Sequence, residues 1–266
     1  MNILITGTSS GLGFALAKEY LDNGSDVYGI SRNFNDRLKN HQNYHHLSHD
    51  LFELDDLPSK LKGFLKNVNV LDLVVLNAGV MPGFKNMRMT SFDEVSNIMQ
   101  VNVWANKVII DTLMESVAET YQIVAITSGS EINNALSLHI YSLSKSALNS
   151  LIKLYAGEIP NTHFSALAPG IIDSGLQEYI SRLPDDEYCP VIRKLKIMRT
   201  TGKLTDPRFA ANYLVEAMGT ILQEESGSFI DVNDILFPDI GLPGYIIKSN
   251  AREDYLTSEL SGYEQM

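Results

Sequence analysis

Residues 1–13 read MNILITGTSSGLG, a short apolar run followed by a turn with glycines at positions 7, 11 and 13. A helical pattern, Leu12-Ala15-Leu16-Tyr20, follows at once. In a strand-turn-helix unit the first glycine permits the sharp turn, the second lets the backbone approach a pyrophosphate, and the third lets the helix pack closely on the strand. The N–H groups at the start of the helix then face the anion. The stretch predicts a phosphate-binding turn made of Gly7, Ser9, Ser10, Gly11, Leu12 and Gly13, with a plain glycine turn as the structural alternative.

Further apolar runs of strand length recur at residues 27–30, 70–76, 123–126, 164–167 and 229–232, and a weaker strand is expected around residues 44–47. They do not alternate strictly between apolar and polar residues, which indicates strands that are buried on both faces. Longer stretches with helical periodicity separate them. Strands that alternate with helices are joined by right-handed crossovers. The sequence therefore predicts an α/β protein with a doubly wound Rossmann fold, in which about seven parallel strands carry helices on both faces.

The order of these segments favours one domain. The chain has 266 residues, with no internal repeat and no Gly/Ser linker. We expect a single domain over residues 1–237 that includes a substrate lid at 174–206, and a C-terminal extension at 238–266.

Composition excludes several classes of function. The net charge of -11 opposes attraction to nucleic acid or to an anionic membrane surface. A single cysteine, Cys189, cannot form an internal disulfide, and the first residues lack the pattern of a signal peptide, so we expect a cytoplasmic protein. His45 and His46 would point to opposite faces of a strand, so we expect no metal site there.

Ser31 and Arg32 follow the second predicted strand, where an acidic residue would accept hydrogen bonds from the ribose hydroxyls of NAD. A guanidinium group instead suits a 2′-phosphate, because it offers paired donors and a full charge. The pair predicts NADP(H) as the cofactor, with a solvated arginine as the alternative. Asp50 and Leu51, after the third strand, are placed to contact the adenine, and Asp50 also suits a helix N-cap.

Tyr141 and Lys145 are four residues apart in the segment YSLSK, so on a helix their side chains share one face. A phenol titrates near pH 10, and a neighbouring ammonium group favours its anion. Such a pair can therefore exchange protons near neutral pH. A Tyr/Lys pair at this spacing is often structural. The motifs around it decide between a structural and a catalytic role.

The context is a series of motifs, each at the end of a strand or in the following helix: Asn77-Ala78-Gly79, Asn102, Ser128, the Tyr141/Lys145 pair and Pro169-Gly170. In this order and with this glycine spacing, the chain resembles the short-chain dehydrogenase/reductase family, in its compact single-domain branch. The resemblance covers roughly residues 1–235. Within the family, residues 168–177 (APGIIDSGLQ) are similar to the corresponding segment of the sepiapterin and benzil reductases.

The resemblance implies four catalytic residues. Tyr141 would give a proton to a carbonyl oxygen, and Ser128, which lies 13 positions earlier, would hydrogen-bond the same oxygen. Lys145 would bind the nicotinamide ribose, and Asn102 would hold a helix distortion and a water molecule that relays protons to Lys145. Together with the motifs above, it implies this set of cofactor contacts: Gly7, Ser9, Ser10, Gly11, Leu12, Gly13, Ser31, Arg32, Asp50, Leu51, Asn77, Ala78, Gly79, Tyr141, Lys145, Pro169, Gly170, Ile172 and Ser174.

The expected function is the NADPH-dependent reduction of a ketone or aldehyde to an alcohol by a homodimer or homotetramer. A non-catalytic NADP(H)-binding sensor or scaffold is the alternative. Two features of the lid stay open at this point. Asp173 suits either a clamp on a substrate amine or hydroxyl, or a helix cap. The basic residues of segment 193–199 suit either an anionic substrate or a solvated helix face.

Overall fold

The computed structural model describes residues 1–81, 83–129, 138–184 and 190–236. Seven strands in this part of the chain form one sheet in the order β3-β2-β1-β5-β7-β8-β9, and every neighbouring pair is parallel. The predicted doubly wound α/β fold is confirmed. The strands are β1 (Asn2–Thr6), β2 (Asp26–Ser31), β3 (Tyr44–Ser48), β4 (Val70–Leu71), β5 (Leu73–Leu76), β6 (Glu119–Thr120), β7 (Gln122–Ile126), β8 (His163–Ala168) and β9 (Ser228–Asp231).

Helices cover both faces of the sheet. They are α1 (Gly11–Asp22), α2 (Leu57–Phe64), α3 (Phe92–Met99), α4 (Ala105–Ser116), α5 (His139–Glu158), α6 (Gly175–Arg182), α7 (Pro190–Thr200), α8 (Pro207–Thr220) and α9 (Val232–Leu236). A π-helical stretch at Gln100–Trp104 joins α3 to α4. Within the described residues, no helix combines the length and the apolar character that crossing a bilayer requires.

The strands are apolar throughout because each one contributes to two cores. Ile3 and Ile5 of β1 pack under α1 and α8, whereas Leu4, between them, packs on the side of α2, α4 and α5. All three side chains are fully buried. The period of two along a strand thus divides one apolar run between the two faces of the sheet.

The apolar run at 70–76 is two strands, not one. Asp72 accepts a hydrogen bond from the Asn2 amide at 2.6 Å and donates its own N–H to the Asn2 carbonyl. This contact with the start of β1 separates β4 from β5, and β4 then pairs with β6 in a second, two-stranded sheet. The last predicted strand ends one residue early, at Asp231, because Val232 already begins α9. The expected extension at 238–266 lies outside the described residues.

The strand order places a crevice at the carboxyl ends of β1 and β5. From β1 the chain runs outward to β2 and β3, then returns to the other side of β1 with β5 and continues to β7, β8 and β9. Loops that leave two neighbouring strands in opposite directions open a crevice between them, which is where doubly wound folds bind their ligands.

Candidate active site

The glycine turn (residues 7–13) lies in this crevice. Gly7 and Gly11 have positive φ angles of 80° and 56°, which side chains rarely adopt. At Gly13 a Cβ atom would lie 2.3 Å from the Gly7 carbonyl oxygen, so the helix packs against the turn without room for a methyl group. Ser10 is the N-cap of α1 but makes no side-chain capping bond, and the first turn of α1 has no acidic residue. The helix start therefore keeps its N–H groups and partial positive charge for an anion.

Asn77 and Ala78 fasten the end of β5 to the end of β1. Both backbone amides donate to the Thr6 hydroxyl oxygen, at 3.0 and 2.9 Å, and the Asn77 side chain donates to the Thr6 carbonyl at 2.9 Å. A Cβ atom on Gly7 would lie 2.9 Å from the Asn77 amide nitrogen. The predicted motif at residues 77–79 thus forms one wall of the crevice beside the glycine turn.

Arg32 and Asp50 meet at the other end of the crevice. The guanidinium group lies 3.9 Å from the Asp50 carboxylate, and its side chain is 70% exposed, which leaves it available to a phosphate. Both residues line a surface cleft of about 410 Å³. Asp50 accepts the Phe52 amide and so closes a turn; α2 begins later, at Leu57 after Asp56, which makes the helix-cap alternative for Asp50 wrong. Leu51 is buried in the core.

Ser31 is placed differently from Arg32. It is buried, and its hydroxyl donates to the Asn33 carbonyl at 2.9 Å. The same oxygen lies 3.1 Å from the His46 ring and 3.3 Å from the Thr8 hydroxyl. These contacts direct the Ser31 hydroxyl toward the loop after β2 and toward the glycine turn. The side chain therefore holds these two segments together.

Thr8 and Tyr44 belong to the same network, although neither was predicted as a site residue. The Thr8 and Tyr44 hydroxyls are 2.8 Å apart. They meet above Gly29, where a Cβ atom would lie 2.4 Å from the Tyr44 oxygen and 2.7 Å from that of Thr8. A glycine inside a buried strand often marks such a close approach, and Gly29 was the available signal.

Asn102 lies in the π-helical stretch and is fully buried. Its side-chain oxygen accepts the Val80 amide at 2.8 Å, and its nitrogen donates to the Val80 carbonyl and to the Ser144 hydroxyl, each at 3.0 Å. The Ser144 hydroxyl in turn donates to the Tyr141 carbonyl at 2.8 Å. The side chain therefore connects the segment after β5 to the turn of α5 that carries Tyr141 and Lys145. The helix distortion expected at this position is present.

Tyr141 and Lys145 lie on α5, one turn apart, as their spacing predicts. The Lys145 ammonium nitrogen is 5.8 Å from the centre of the Tyr141 ring and donates to the Ile126 carbonyl, at the end of β7, at 2.8 Å. Ser128 follows two residues later and is half-buried, like Tyr141. A Cβ atom on Gly79 would lie 3.6 Å from the Lys145 nitrogen and 3.3 Å from the Asn102 oxygen. The structure thus brings Gly79, Asn102 and Lys145 together at the carboxyl ends of β5 and β7.

The lid begins directly above the glycine turn. A Cβ atom on Gly11 would lie 3.6 Å from the Cβ of Ser174, which is the N-cap of α6. The two ends of the lid are joined by a parallel bridge between Ile172 and Thr205. Gly170 has a positive φ of 81°, and the Pro169 carbonyl accepts the Tyr213 hydroxyl at 3.0 Å. The segment from Pro169 to Ser174 is thereby held against the crevice.

Asp173 forms an ion pair with Arg199 at 3.1 Å, and Arg199 also donates to the Ser181 hydroxyl at 3.0 Å. Ser174, not Asp173, holds the N-cap position of α6, so the cap alternative for Asp173 is wrong. In the basic segment, Lys196 donates to the Leu183 carbonyl, whereas Arg193 and Lys194 are exposed. Arg199 and Lys196 therefore tie the lid helices together, while the other two basic residues face solvent.

Among the described residues, no group of three or more His, Cys, Asp or Glu side chains is arranged to hold a metal ion. His45 and His46 do lie on opposite sides of β3. His45 stacks on Tyr28 with ring centres 4.7 Å apart, and His46 contacts Ser31.

Comparisons with known proteins identify the family. A family model described as short chain dehydrogenase matches residues 1–184. The benzil reductase ((S)-benzoin forming) of Bacillus cereus is 25% identical over 239 residues, which are 84% of this chain and 94% of that protein. The Bacillus subtilis benzil reductase ((S)-benzoin forming) is 26% identical over 248 residues, 88% of this chain and 98% of that protein.

Solved structures have the same fold. A short chain dehydrogenase/reductase from Saccharomyces cerevisiae superposes with a TM-score of 0.79 at 22% identity, covering 90% of this chain and 98% of that one. The chain belongs to the short-chain dehydrogenase/reductase family of nucleotide-binding oxidoreductases. The family membership and the resemblance to benzil reductases predicted from the sequence are confirmed.

Proposed function

We propose that the protein is an NADPH-dependent carbonyl reductase that converts a ketone or aldehyde to an alcohol, with Tyr141 as the general acid. The observation that carries the proposal is the cluster of Asn102, Tyr141 and Lys145 at the carboxyl ends of the strands, in the same crevice as the glycine turn. A sensor that only binds the nucleotide has no need of a phenol and an ammonium group on one face of α5, with the ammonium nitrogen 5.8 Å from the centre of the ring.

The residues present fit a dinucleotide. The start of α1 offers N–H groups without a side-chain cap to the pyrophosphate, and the turn carries no side chain at positions 11 and 13. Arg32 supplies an exposed guanidinium for a 2′-phosphate. Lys145 supplies an ammonium group for the nicotinamide ribose, next to Gly79, where a Cβ atom would lie 3.6 Å from the Lys145 nitrogen. These local positive groups act against a net charge of -11, so attraction of an anionic cofactor must come from the crevice itself.

The chain's own groups then perform the proton chemistry. When bound, the reduced nicotinamide supplies a hydride to the carbonyl carbon. Tyr141 donates its hydroxyl proton to the carbonyl oxygen, and Ser128 donates a hydrogen bond to the same oxygen as negative charge develops there. Lys145 favours the resulting phenolate, and Asn102 keeps the turn of α5 that bears both groups fixed through Ser144.

For the substrate class we propose bulky apolar ketones, with aromatic diketones first. Two relatives that align with 84% and 88% of this chain are benzil reductases, as their names state. The lid interior is also apolar. Its buried cluster consists of Ile180, Ile192 and Leu195, and Phe84, from the segment after β5, packs against it. The lid cations Lys196 and Arg199 already bond within the lid, which argues against an anionic substrate.

The test is NADPH consumption, followed by absorbance, with a panel of benzil, other diketones, pterins, sugar ketones and acyl thioesters. We expect turnover with benzil or another apolar ketone, and Arg32→Ala should raise the KM for NADPH about tenfold or more while changing that for NADH much less. The absence of turnover with every member, together with tight NADPH binding, would favour the sensor. Equal effects of Arg32→Ala on both cofactors would contradict the phosphate role of Arg32.

We propose further that the chain assembles as a homodimer or homotetramer. Leu143 and Leu154, three turns apart on one face of α5, are 45% and 63% exposed, and Trp104, at the end of the π-helical stretch, is 44% exposed. Exposed apolar side chains grouped on one face are typical of an interface. Sedimentation equilibrium should give a mass two or four times the 29.6 kDa of the chain, and a monomer at micromolar concentration would contradict this proposal.

A further inference from the structure

Asn35 uses both ends of its side chain to join two loops. It lies between β2 and β3, at the N-cap of a single 3₁₀ turn at Asp36–Leu38, and its oxygen accepts the Arg37 amide at 3.0 Å. Its nitrogen donates to the Ser9 carbonyl at 2.8 Å, 26 residues away in the glycine turn. One half-buried amide therefore bonds to both loops at once.

The loop that carries Asn35 also carries Arg32 and is itself well anchored. Leu38, at the end of the 3₁₀ turn, is fully buried in the core beneath α1, and its amide donates to the Asn35 carbonyl at 2.9 Å. At the other end of the loop, the Ser48 hydroxyl donates to the Arg32 carbonyl at 2.9 Å. The backbone on which Arg32 is mounted is thus fixed at both ends, and Asn35 ties this fixed loop to the glycine turn.

The hydrogen bond from Asn35 to the Ser9 carbonyl also orients the peptide group between Ser9 and Ser10. In a planar trans peptide the C=O and the following N–H point opposite ways. By holding the Ser9 carbonyl on the side of the β2–β3 loop, Asn35 fixes the orientation of the Ser10 N–H at the start of α1. That N–H belongs to the set that the proposed function assigns to the pyrophosphate.

We propose that Asn35 is a positioning residue that sets the distance between the pyrophosphate-binding turn and the 2′-phosphate-binding Arg32, and so raises the preference for NADPH over NADH. This inference rests on the proposed function, because it assumes that one dinucleotide bridges both loops. When two phosphate sites are held in register before the ligand binds, less conformational entropy is lost on binding than when the two loops move independently. NADPH places its pyrophosphate at the glycine turn and its 2′-phosphate at the loop that carries Arg32, whereas NADH has no 2′-phosphate. Holding the two loops in register therefore favours NADPH more than NADH.

Helix capping alone does not account for this residue. Serine and aspartate cap helix starts as well as asparagine does, but neither has an amide N–H to give to the Ser9 carbonyl. Asn35→Ser and Asn35→Asp therefore keep the cap of the 3₁₀ turn and remove only the bond to the glycine turn. Asn40→Ser, an exposed asparagine five residues further along, is the matched control for the same chemical change in the same region.

The experiment is isothermal titration of the full chain with NADPH, NADH and adenosine 2′,5′-bisphosphate. For Asn35→Ser we expect the Kd for NADPH to rise about three- to tenfold, the size of one lost hydrogen bond, and the Kd for NADH to rise about twofold. Asn35→Asp should lose at least as much NADPH affinity, because its carboxylate faces the Ser9 carbonyl. Asn40→Ser should bind all three probes like the wild type.

A double-mutant cycle separates positioning from general loosening of the fold. If Asn35 holds Arg32 in register, Arg32→Ala should weaken NADPH binding by a smaller factor in the Asn35→Ser background than in the wild type. Equal factors in the two backgrounds, or wild-type affinities in both Asn35 variants, would overturn the proposal. If the wild type itself binds neither dinucleotide, the proposed function fails first, and the titrations show this before any variant is made.

Discussion

Replacing Gly13 with alanine introduces a methyl group where the structure has no space for one. The new Cβ atom would lie 2.3 Å from the Gly7 carbonyl oxygen, 2.8 Å from the Gly7 carbonyl carbon and 2.5 Å from the Asn77 side-chain nitrogen. Carbon and oxygen atoms that are not bonded stay more than 3 Å apart, so the turn or the helix must move by several tenths of an ångström. Two of the three atoms belong to backbone that the glycine turn holds in place.

The cost follows from these contacts. Overpacking of a closely packed region costs about 1–3 kcal/mol, and backbone neighbours place this site at the upper end. Displacement of the Asn77 side chain also breaks its 2.9 Å bond to the Thr6 carbonyl, which contributes about 1 kcal/mol. We expect Gly13→Ala to lower the free energy of unfolding by about 4 kcal/mol, which for a chain of this size is a fall in Tm of about 8–16 °C.

Thermal unfolding followed by circular dichroism measures the effect, with Gly157→Ala as the control. Gly157 lies in α5 with open space around it, so alanine there should raise stability by about 0.5–1 kcal/mol through its helix propensity. NADPH titration of the Gly13 variant at low temperature should show weaker binding as well. A Tm for Gly13→Ala within about 2 °C of the wild type would refute the close helix-turn packing.

Two further predictions concern the lid and His46, which contacts Ser31 at the end of β2. Arg199→Gln removes the ion pair with Asp173, so the KM for the carbonyl substrate should rise about threefold while Tm changes by less than about 2 °C; an unchanged KM would mean that this pair does not position the lid. Burial lowers the pKa of His46 below its ordinary value of 6.5, so the unfolded chain takes up a proton that the folded chain resists, and this residue costs stability as the pH falls through about 6.5. Between about pH 7.5 and 5.5 the wild type should therefore lose more stability in urea unfolding than His46→Gln, and parallel pH profiles would contradict the assignment.

The glycine turn and the Tyr141/Lys145 pair could be predicted because their chemistry is local. Gly7, Gly11 and Gly13 lie within seven residues, and their positions at the end of an apolar run already imply a turn that opens a helix. Tyr141 and Lys145 share a face by helix geometry alone. The parallel sheet was equally predictable, since strands buried on both faces are apolar throughout.

The hydrogen bonds that hold the site together could not be predicted, because each joins residues that are far apart in sequence. Asn35 is 26 residues from Ser9, and Asn102 is 42 residues from Ser144, and neither pair has a pattern that relates its members before the chain is folded. Gly29 marked a close approach in β2 but not its partners, Thr8 and Tyr44.

Asp173 illustrates a different limit of the sequence. An acidic residue before a helix suits a cap or a substrate clamp, and its local context favours neither. The structure instead pairs it with Arg199, which reaches it only because Ile172 and Thr205 bring the two ends of the lid together. The role of such a residue depends on tertiary contacts that spacing does not encode.

The most direct test of the proposed proton transfer is Tyr141→Phe, which removes one hydroxyl group and keeps the ring. The measurement is the rate of NADPH consumption with the best apolar ketone of the panel, together with the Kd for NADPH. The proposed chemistry predicts a fall in kcat of about 10²- to 10⁴-fold, the usual contribution of a general acid, with a Kd within about twofold of the wild type. A variant that reduces the ketone at the wild-type rate would contradict the assignment of Tyr141 as the proton donor.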